Sequence, residues 1–264
     1  MKRMLPLLAA ALLSGGVNAD NHSTTPLTTQ DILNILAHPE RSDADKARDA
    51  ARQPANVLTF SDVQRGYTVL DMNAGDGWYT ELLSLAVGDS GKVYMHNDEI
   101  YFPFAQKDLQ TRTQDNRLSN VERLDNVAVE AIALTDKSVD LAFASLSYHD
   151  LFFTDYERDG ETVVLRSEAV DYQAALSTIH RILKDDGVFV VIDHIGQAGS
   201  GDEASNTLHR IDPKRVKYQF SQSGFRLVEQ AYYLANADDD YTKSVFDPAL
   251  RGKTDRFIFK FAKK

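Results

Sequence analysis

The chain has 264 residues, enough for one α/β domain with a sizeable core. Its 29 Lys and Arg against 39 Asp and Glu give a net charge of −10, so the surface repels phosphate backbones and nucleic-acid binding is not expected. It has no cysteine, which excludes disulfide scaffolds, zinc–thiolate and iron–sulfur sites, cysteine nucleophiles and a lipoprotein anchor.

Met1–Lys2–Arg3 is a short basic start, Met4 to Leu13 is uncharged and apolar except for Pro6, and Val17-Asn18-Ala19 resembles a cleavage site. Residues 1–19 therefore read as a secretory signal peptide, too short to span a bilayer. The expected product is exported, cleavage near Ala19 leaving it in the periplasm with no membrane anchor. Residues 20–41 read as a flexible segment with a short helix, capped by Thr28 and Asp31 and carrying Ile32, Leu33, Ile35 and Leu36. Ser42 with Asp45 caps a second helix that ends near Pro54.

From Tyr67 the pattern alternates. Strands are predicted at Tyr67–Met72, Lys92–Asn97, Val121–Leu124, Val139–Ser145 and Val188–Asp193, with helices at Gly77–Ala86, Tyr101–Arg112 and Ala169–Leu183. Asp212–Pro213 opens a further helix that stops at Gly224. Arg226–Leu234 and Asp255–Ala262 are two closing strands joined by a long loop. The expectation is α/β: a Rossmann-like, doubly wound, seven-stranded, mostly parallel sheet with an antiparallel pair at one edge. Ligands in such sheets bind beyond the carboxyl ends of the strands.

The loop VLDMNAGDGWYT follows the first of these strands. Two glycines let the backbone turn with positive φ and approach a ligand. The dinucleotide fingerprint asks for a third glycine where Thr80 stands, and Asp71 would repel a pyrophosphate, so a cationic or neutral ligand suits the loop better. On spacing alone, a tight strand–helix turn with structural glycines remains open.

VLDMNAGDGWYTELL resembles motif I of class I S-adenosylmethionine-dependent methyltransferases. From about residue 47 to 264 the chain resembles a bacterial family of predicted methyltransferases, often with signal peptides, through RDAARQPANVL, AGDGWYTELL, SVDLAFASLSYHDL, HRIDP and VFDPALRGKTDRF. The resemblance implies a methyltransferase-like domain over 42–264 that binds S-adenosylmethionine. Gly75 and Gly77 would pack under that cofactor and Asp71 would help hold its amino-acid end. Asn97, with Asp98 beside it, falls where family members carry an acid for the ribose hydroxyls. Asp125 and Asn126 fall where the adenine amine is recognised. Asn73 stands where glycine is common and would crowd or contact the methionine tail.

Ser147-Tyr148-His149-Asp150 follows the Val139–Ser145 strand, in the loop that faces the transferring methyl in such enzymes. His149 is the candidate base, because an imidazole titrates near neutral pH, and Asp150 is its candidate orienting partner; a hydrogen-bonded structural histidine is the competing reading. His149, His194 and His209 lie on separate loops with no local ligand motif, so no metal is expected. Asp238-Asp239-Asp240 and Phe246 read either as part of a lid or as a solvated turn. The function expected is methyl transfer to a small-molecule acceptor. Because S-adenosylmethionine is made in the cytoplasm, the alternative is an exported, non-catalytic binder of a nucleoside or metabolite on the same fold. The sequence carries no signal for oligomeric state.

Overall fold

The computed structural model describes residues 24–264. The expected signal peptide and its cut near Ala19 lie outside them. The described chain begins with Thr25–Pro26 (β1), Thr29–Leu36 (α1), Asp43–Ala47 (α2), Asp49–Arg52 (α3), Pro54–Phe60 (α4) and Gln64–Arg65 (β2). It continues through Thr68–Met72 (β3), Trp78–Val87 (α5), Lys92–Asn97 (β4), Tyr101–Thr113 (α6), Val121–Asp125 (β5) and Val139–Ser145 (β6). A hairpin follows, Asp155–Arg158 (β7) and Glu161–Val164 (β8), then Tyr172–Ile182 (α7) and Leu183–His194 (β9). Gly201–Leu208 (α8), Pro213–Gln222 (α9), Phe225–Ala231 (β10) and Arg256–Lys263 (β11) complete it.

The main sheet has seven strands in the order β10-β11-β9-β6-β3-β4-β5. β9, β6, β3, β4 and β5 are parallel, while β11 runs antiparallel to both β9 and β10. The chain lays β4 and β5 to one side of β3 and returns to start β6 on the other. Strand order therefore reverses between β3 and β6, and a crevice opens at their carboxyl ends. One face of the sheet is covered by α7 and α9, the other by α1, α4 and α5. β6 and β9 are buried on both faces, which is why VDLAFAS and VFVVID read as continuous apolar runs.

Local chemistry sets the helix ends. Asp171 accepts from the N–H groups of Gln173 and Ala174, so α7 begins at Tyr172 rather than at Ala169. Its Ala175, Leu176, Ile179 and Ile182 recur at helical spacing and are buried. Asp212 caps α9 in the same way, with Pro213 in its first turn. The helix expected from Ser42 to near Pro54 is divided at Arg48 into α2 and α3; it stops at Arg52, where Gln53 takes φ 45°, and Pro54 opens α4. The segment expected to be flexible before residue 42 holds its short helix, and Ile32 and Ile35 are buried against the core while β1 pairs with β2. Among the described residues, no helix is long and apolar enough to cross a membrane.

Candidate active site

β3 ends by delivering Asp71 to the floor of the crevice, buried and accepting a 2.6 Å hydrogen bond from the Thr80 hydroxyl. Burial pushes the Asp71 carboxyl up to about 7, and the Asp76 carboxylate nearby adds to the rise. The bend that follows uses three left-handed residues, Asn73 (φ 49°), Gly75 (φ 60°) and Gly77 (φ 76°). A Cβ on Gly77 would sit 2.2 Å from Met95 Cε and 2.9 Å from Arg112 Cδ, so both space and φ demand glycine there. At Gly75 the nearest atoms, in Tyr101, are 3.9 Å away, so only φ demands it.

The tip of β4 braces this bend. Asn97 accepts from the Gly75 N–H (2.9 Å) and donates to the Gly75 carbonyl (3.3 Å). The Asp98 N–H donates to the Asn73 side chain (3.1 Å), and His96 Nδ1 accepts from the Asn73 N–H (3.2 Å). Beside the bend is a cleft of about 150 Å³, lined by Asp71, Asn73, Gly75, Asp76, Tyr101 and Leu146 among others. Arg52 borders it as well.

The fit to S-adenosylmethionine divides along the length of that molecule. Asp71 and the open side of Gly75 suit the ammonium group of the amino-acid end. The ribose end is less accommodating. Asn97 is fully buried and spent on Gly75, while the Asp98 carboxylate accepts from the Ile100 and Tyr101 N–H groups and pairs with Arg166 (3.0 Å). Two nitrogens of that guanidinium, Nε and Nη1, are buried without a hydrogen-bond partner. Asp125 pairs with Arg123 (2.6 Å), Asn126 is exposed, and neither lines the cleft. The cleft is also smaller than the ~300–1,000 Å³ typical of ligand pockets.

Across Tyr101 and Leu146, which line both spaces, lies a second cavity of about 860 Å³. Aromatic side chains, including Phe104, Phe153, Tyr156 and Phe246, form much of its wall. Its polar floor is a cluster. The loop after β6 folds into a 3₁₀ turn, His149–Phe152, that buries His149 and Asp150. Asp193, on β9, accepts from His149 Nδ1 (2.6 Å) and from the His149 N–H (2.8 Å). His209 ends α8 with φ 54°, a left-handed conformation uncommon outside glycine, and its Nδ1 lies 2.9 Å from Asp150 Oδ1. The Tyr101 hydroxyl donates to the other Asp150 oxygen.

Burial works to lower the His149 pKa, but the carboxylates of Asp150 and Asp193 outweigh it and push the ring up to about 10. At neutral pH the ring is therefore an imidazolium that donates hydrogen bonds. Burial raises the Asp150 carboxyl, yet His149 and His209 together hold it far below the usual carboxylate range. His194 is held neutral by burial and by the charge of His149, and its Nδ1 lies 2.7 Å from the Thr254 hydroxyl.

The structure thus gathers Asp71, Asn73 and Gly75 at one cleft and His149 and Asp150 in the cavity beside it. Gly77, Asn97 and Asp98 act as supports, and Asp125 and Asn126 stand apart. Sequence reasoning gave no role to Tyr101 or His96. It named Asp193 only as a strand end and His209 only as one histidine of three. Asp239 is not a solvated acid: it is buried and pairs through both oxygens with the buried Arg210 (2.8 and 2.9 Å), which ties its loop down and carries Phe246 to the cavity wall. Arg251 and Lys253 of the same loop are exposed.

No protein-family model and no curated protein matches the chain. Solved structures do. A SAM-dependent methyltransferase from Aquifex aeolicus is 22% identical, over 89% of this chain and 98% of that one, at a TM-score of 0.55. Geranyl diphosphate C-methyltransferase from Streptomyces coelicolor A3(2), solved with Mg²⁺, geranyl diphosphate and S-adenosyl-L-homocysteine, is 14% identical over 87% and 89%, at 0.56. The [4+2]-cyclase SpnF is 16% identical over 89% and 92%, at 0.53. With its strand order, its edge pair and the crevice between β3 and β6, the chain has the fold of the class I methyltransferases.

Proposed function

We propose that the protein transfers the methyl group of S-adenosylmethionine to a small-molecule acceptor, and that it does so after export. The observation that carries this reading is the shared wall. The glycine-loop cleft and the aromatic cavity adjoin at Tyr101 and Leu146, which line both, so a donor held at Asp71 and an acceptor held at His149 occupy neighbouring spaces. Methyl transfer from a sulfonium is an in-line displacement whose rate comes largely from alignment and exclusion of water. The aromatic wall supplies the second. For the first, the cluster of His149, Asp150 and Asp193 holds the polar head of the acceptor at the cavity floor. The acceptor is a small, mostly apolar molecule with one polar head, and nucleic acid is not a substrate of so acidic a chain.

A donor at this site requires Asp98 to release Arg166 before it can accept from a ribose. The occupied carboxylate and the small cleft favour one second reading, a protein that binds a metabolite without transferring a methyl group. A [4+2]-cyclase on the same fold illustrates that the fold does not fix the chemistry. The discriminating experiment incubates the purified protein with methyl-tritiated S-adenosylmethionine and fractionated small-molecule extract. Methyl transfer predicts label in an extractable product that is lost in Gly75→Val. Binding of S-adenosylhomocysteine without label in any fraction supports the second reading.

A further inference from the structure

The structure assigns a divalent transition-metal site to the floor of the aromatic cavity, with His149 Nε2, His209 Nδ1 and Asp150 Oδ1 as its three protein ligands. These atoms come from two loops sixty residues apart and converge on one point. Their separations are 3.1 Å (His149 to Asp150), 3.3 Å (His149 to His209) and 2.9 Å (His209 to Asp150). Ligands about 2.1 Å from a common ion stand about 3.0 Å apart at right angles and about 3.4 Å apart at tetrahedral angles. Two of the separations fall between these values and the third, 2.9 Å, lies just below them, so an ion about 2.1 Å from all three atoms fits above their plane.

The surroundings are built for the same purpose. Asp193 accepts from His149 Nδ1, which selects the tautomer whose Nε2 lone pair faces the triangle. Asp193 is itself fixed by the N–H groups of His149 and His194 (both 2.8 Å). The Tyr101 hydroxyl holds the Asp150 oxygen that is not a ligand. His209 keeps a left-handed backbone, and Phe153 and Phe246 flank its ring at 4.5 and 4.8 Å between centroids. Three ligands on one side leave the remaining positions open toward the cavity. Two imidazoles and one carboxylate select zinc, cobalt, iron or manganese over magnesium and calcium, which prefer oxygen alone.

An open position above the triangle binds an oxygen or nitrogen donor of the cavity's ligand. That the ligand is the methyl acceptor rests on the methyl-transfer reading; the binding of the ion does not. The test uses the purified protein stripped with EDTA and titrated with Zn²⁺ by calorimetry and with Co²⁺ by visible absorption. The expected result is one equivalent bound at micromolar Kd or tighter, with cobalt bands of a nitrogen–oxygen site. His209→Gly suits the positive φ and Asp150→Asn keeps the side-chain volume; each weakens binding at least ~100-fold in protein that circular dichroism shows to be folded. Asp193→Asn, which removes only the support of His149, weakens it ~10–100-fold. His180→Ala, on α7 and away from the cavity, binds like the wild type. Absence of saturable one-equivalent binding, or wild-type affinity in folded His209→Gly, overturns the assignment. S-adenosylhomocysteine titrated into the same samples separates the two ideas: ion binding without it removes methyl transfer and leaves the metal site, and the converse removes the metal site alone.

Discussion

Asp71→Asn is the substitution with the most revealing consequence. Asp71 is buried and its pKa rises from 3.8 to about 7, the Thr80 hydroxyl and the Arg52 charge offsetting only part of the loss of water. A carboxyl raised on folding binds its proton more tightly in the native state, so stability falls as pH climbs from 3.8 to about 7. Above that window the native state carries the full cost of the buried charge, ~4 kcal/mol. Asparagine removes the charge and still accepts from the Thr80 hydroxyl. The variant is therefore expected to exceed the wild type by ~4 kcal/mol at pH 8 but by only ~1–2 kcal/mol at pH 5. For a chain of this size each kcal/mol moves Tm by ~2–4 °C, so the pH 8 difference is about 10 °C. The same variant loses affinity for S-adenosylmethionine, because the amino group loses its counter-charge. Urea and thermal denaturation of both proteins at the two pH values measure the effect. A variant less stable at pH 8, or a difference that does not grow with pH, refutes the argument that Asp71 is held charged at a cost for the sake of a cationic ligand.

Other substitutions test the supports. Gly77→Ala places a Cβ against Met95 and Arg112 and is expected to lose ~2–4 kcal/mol in urea, whereas Gly75→Ala meets only backbone strain and should lose ~1–2 kcal/mol; equal losses contradict the geometry of the bend. Glu81 is buried between Arg112 and Arg117, so Glu81→Gln leaves two guanidinium groups without their shared anion and should cost ~3 kcal/mol by the same measurement. Tyr101→Phe removes the donor to Asp150 while keeping the wall between the two spaces. It should lower kcat for methyl transfer about tenfold and leave affinity for S-adenosylhomocysteine within twofold; a change confined to affinity would place Tyr101 on the donor side instead.

The sheet was legible because its strands are chemically distinct. Val139–Ser145 and Lys92–Asn97 match their predicted bounds, since each is a short apolar run closed by polar residues. β9 begins five residues before the predicted Val188 because Leu183 already pairs with Val139 and the polar Lys184–Gly187 stretch runs on as irregular strand. The β7–β8 hairpin was missed although Asp159–Gly160 is a strong turn signal, with φ 53° and 80°. α8 was missed for a better reason: in GDEASNTL only Ala204 and Ser205 are buried, so no apolar stripe marks it. The motif I loop was legible down to its glycines. What the sequence concealed was the competition for its polar atoms. Nothing local to Asn97 or Asp98 shows that Gly75 and Arg166 claim them. The meeting of His149 with His209 depends on where α8 ends, an element with no periodic signature.

The central claim is that Asp71 and the bend after it hold a sulfonium methyl donor. Calorimetric titration of the wild-type protein at pH 8 with S-adenosylmethionine and S-adenosylhomocysteine tests it most directly. One molecule of each bound per chain at micromolar Kd, with both lost in Gly75→Val, is the predicted result. No heat with either compound, or binding that Gly75→Val leaves intact, contradicts it.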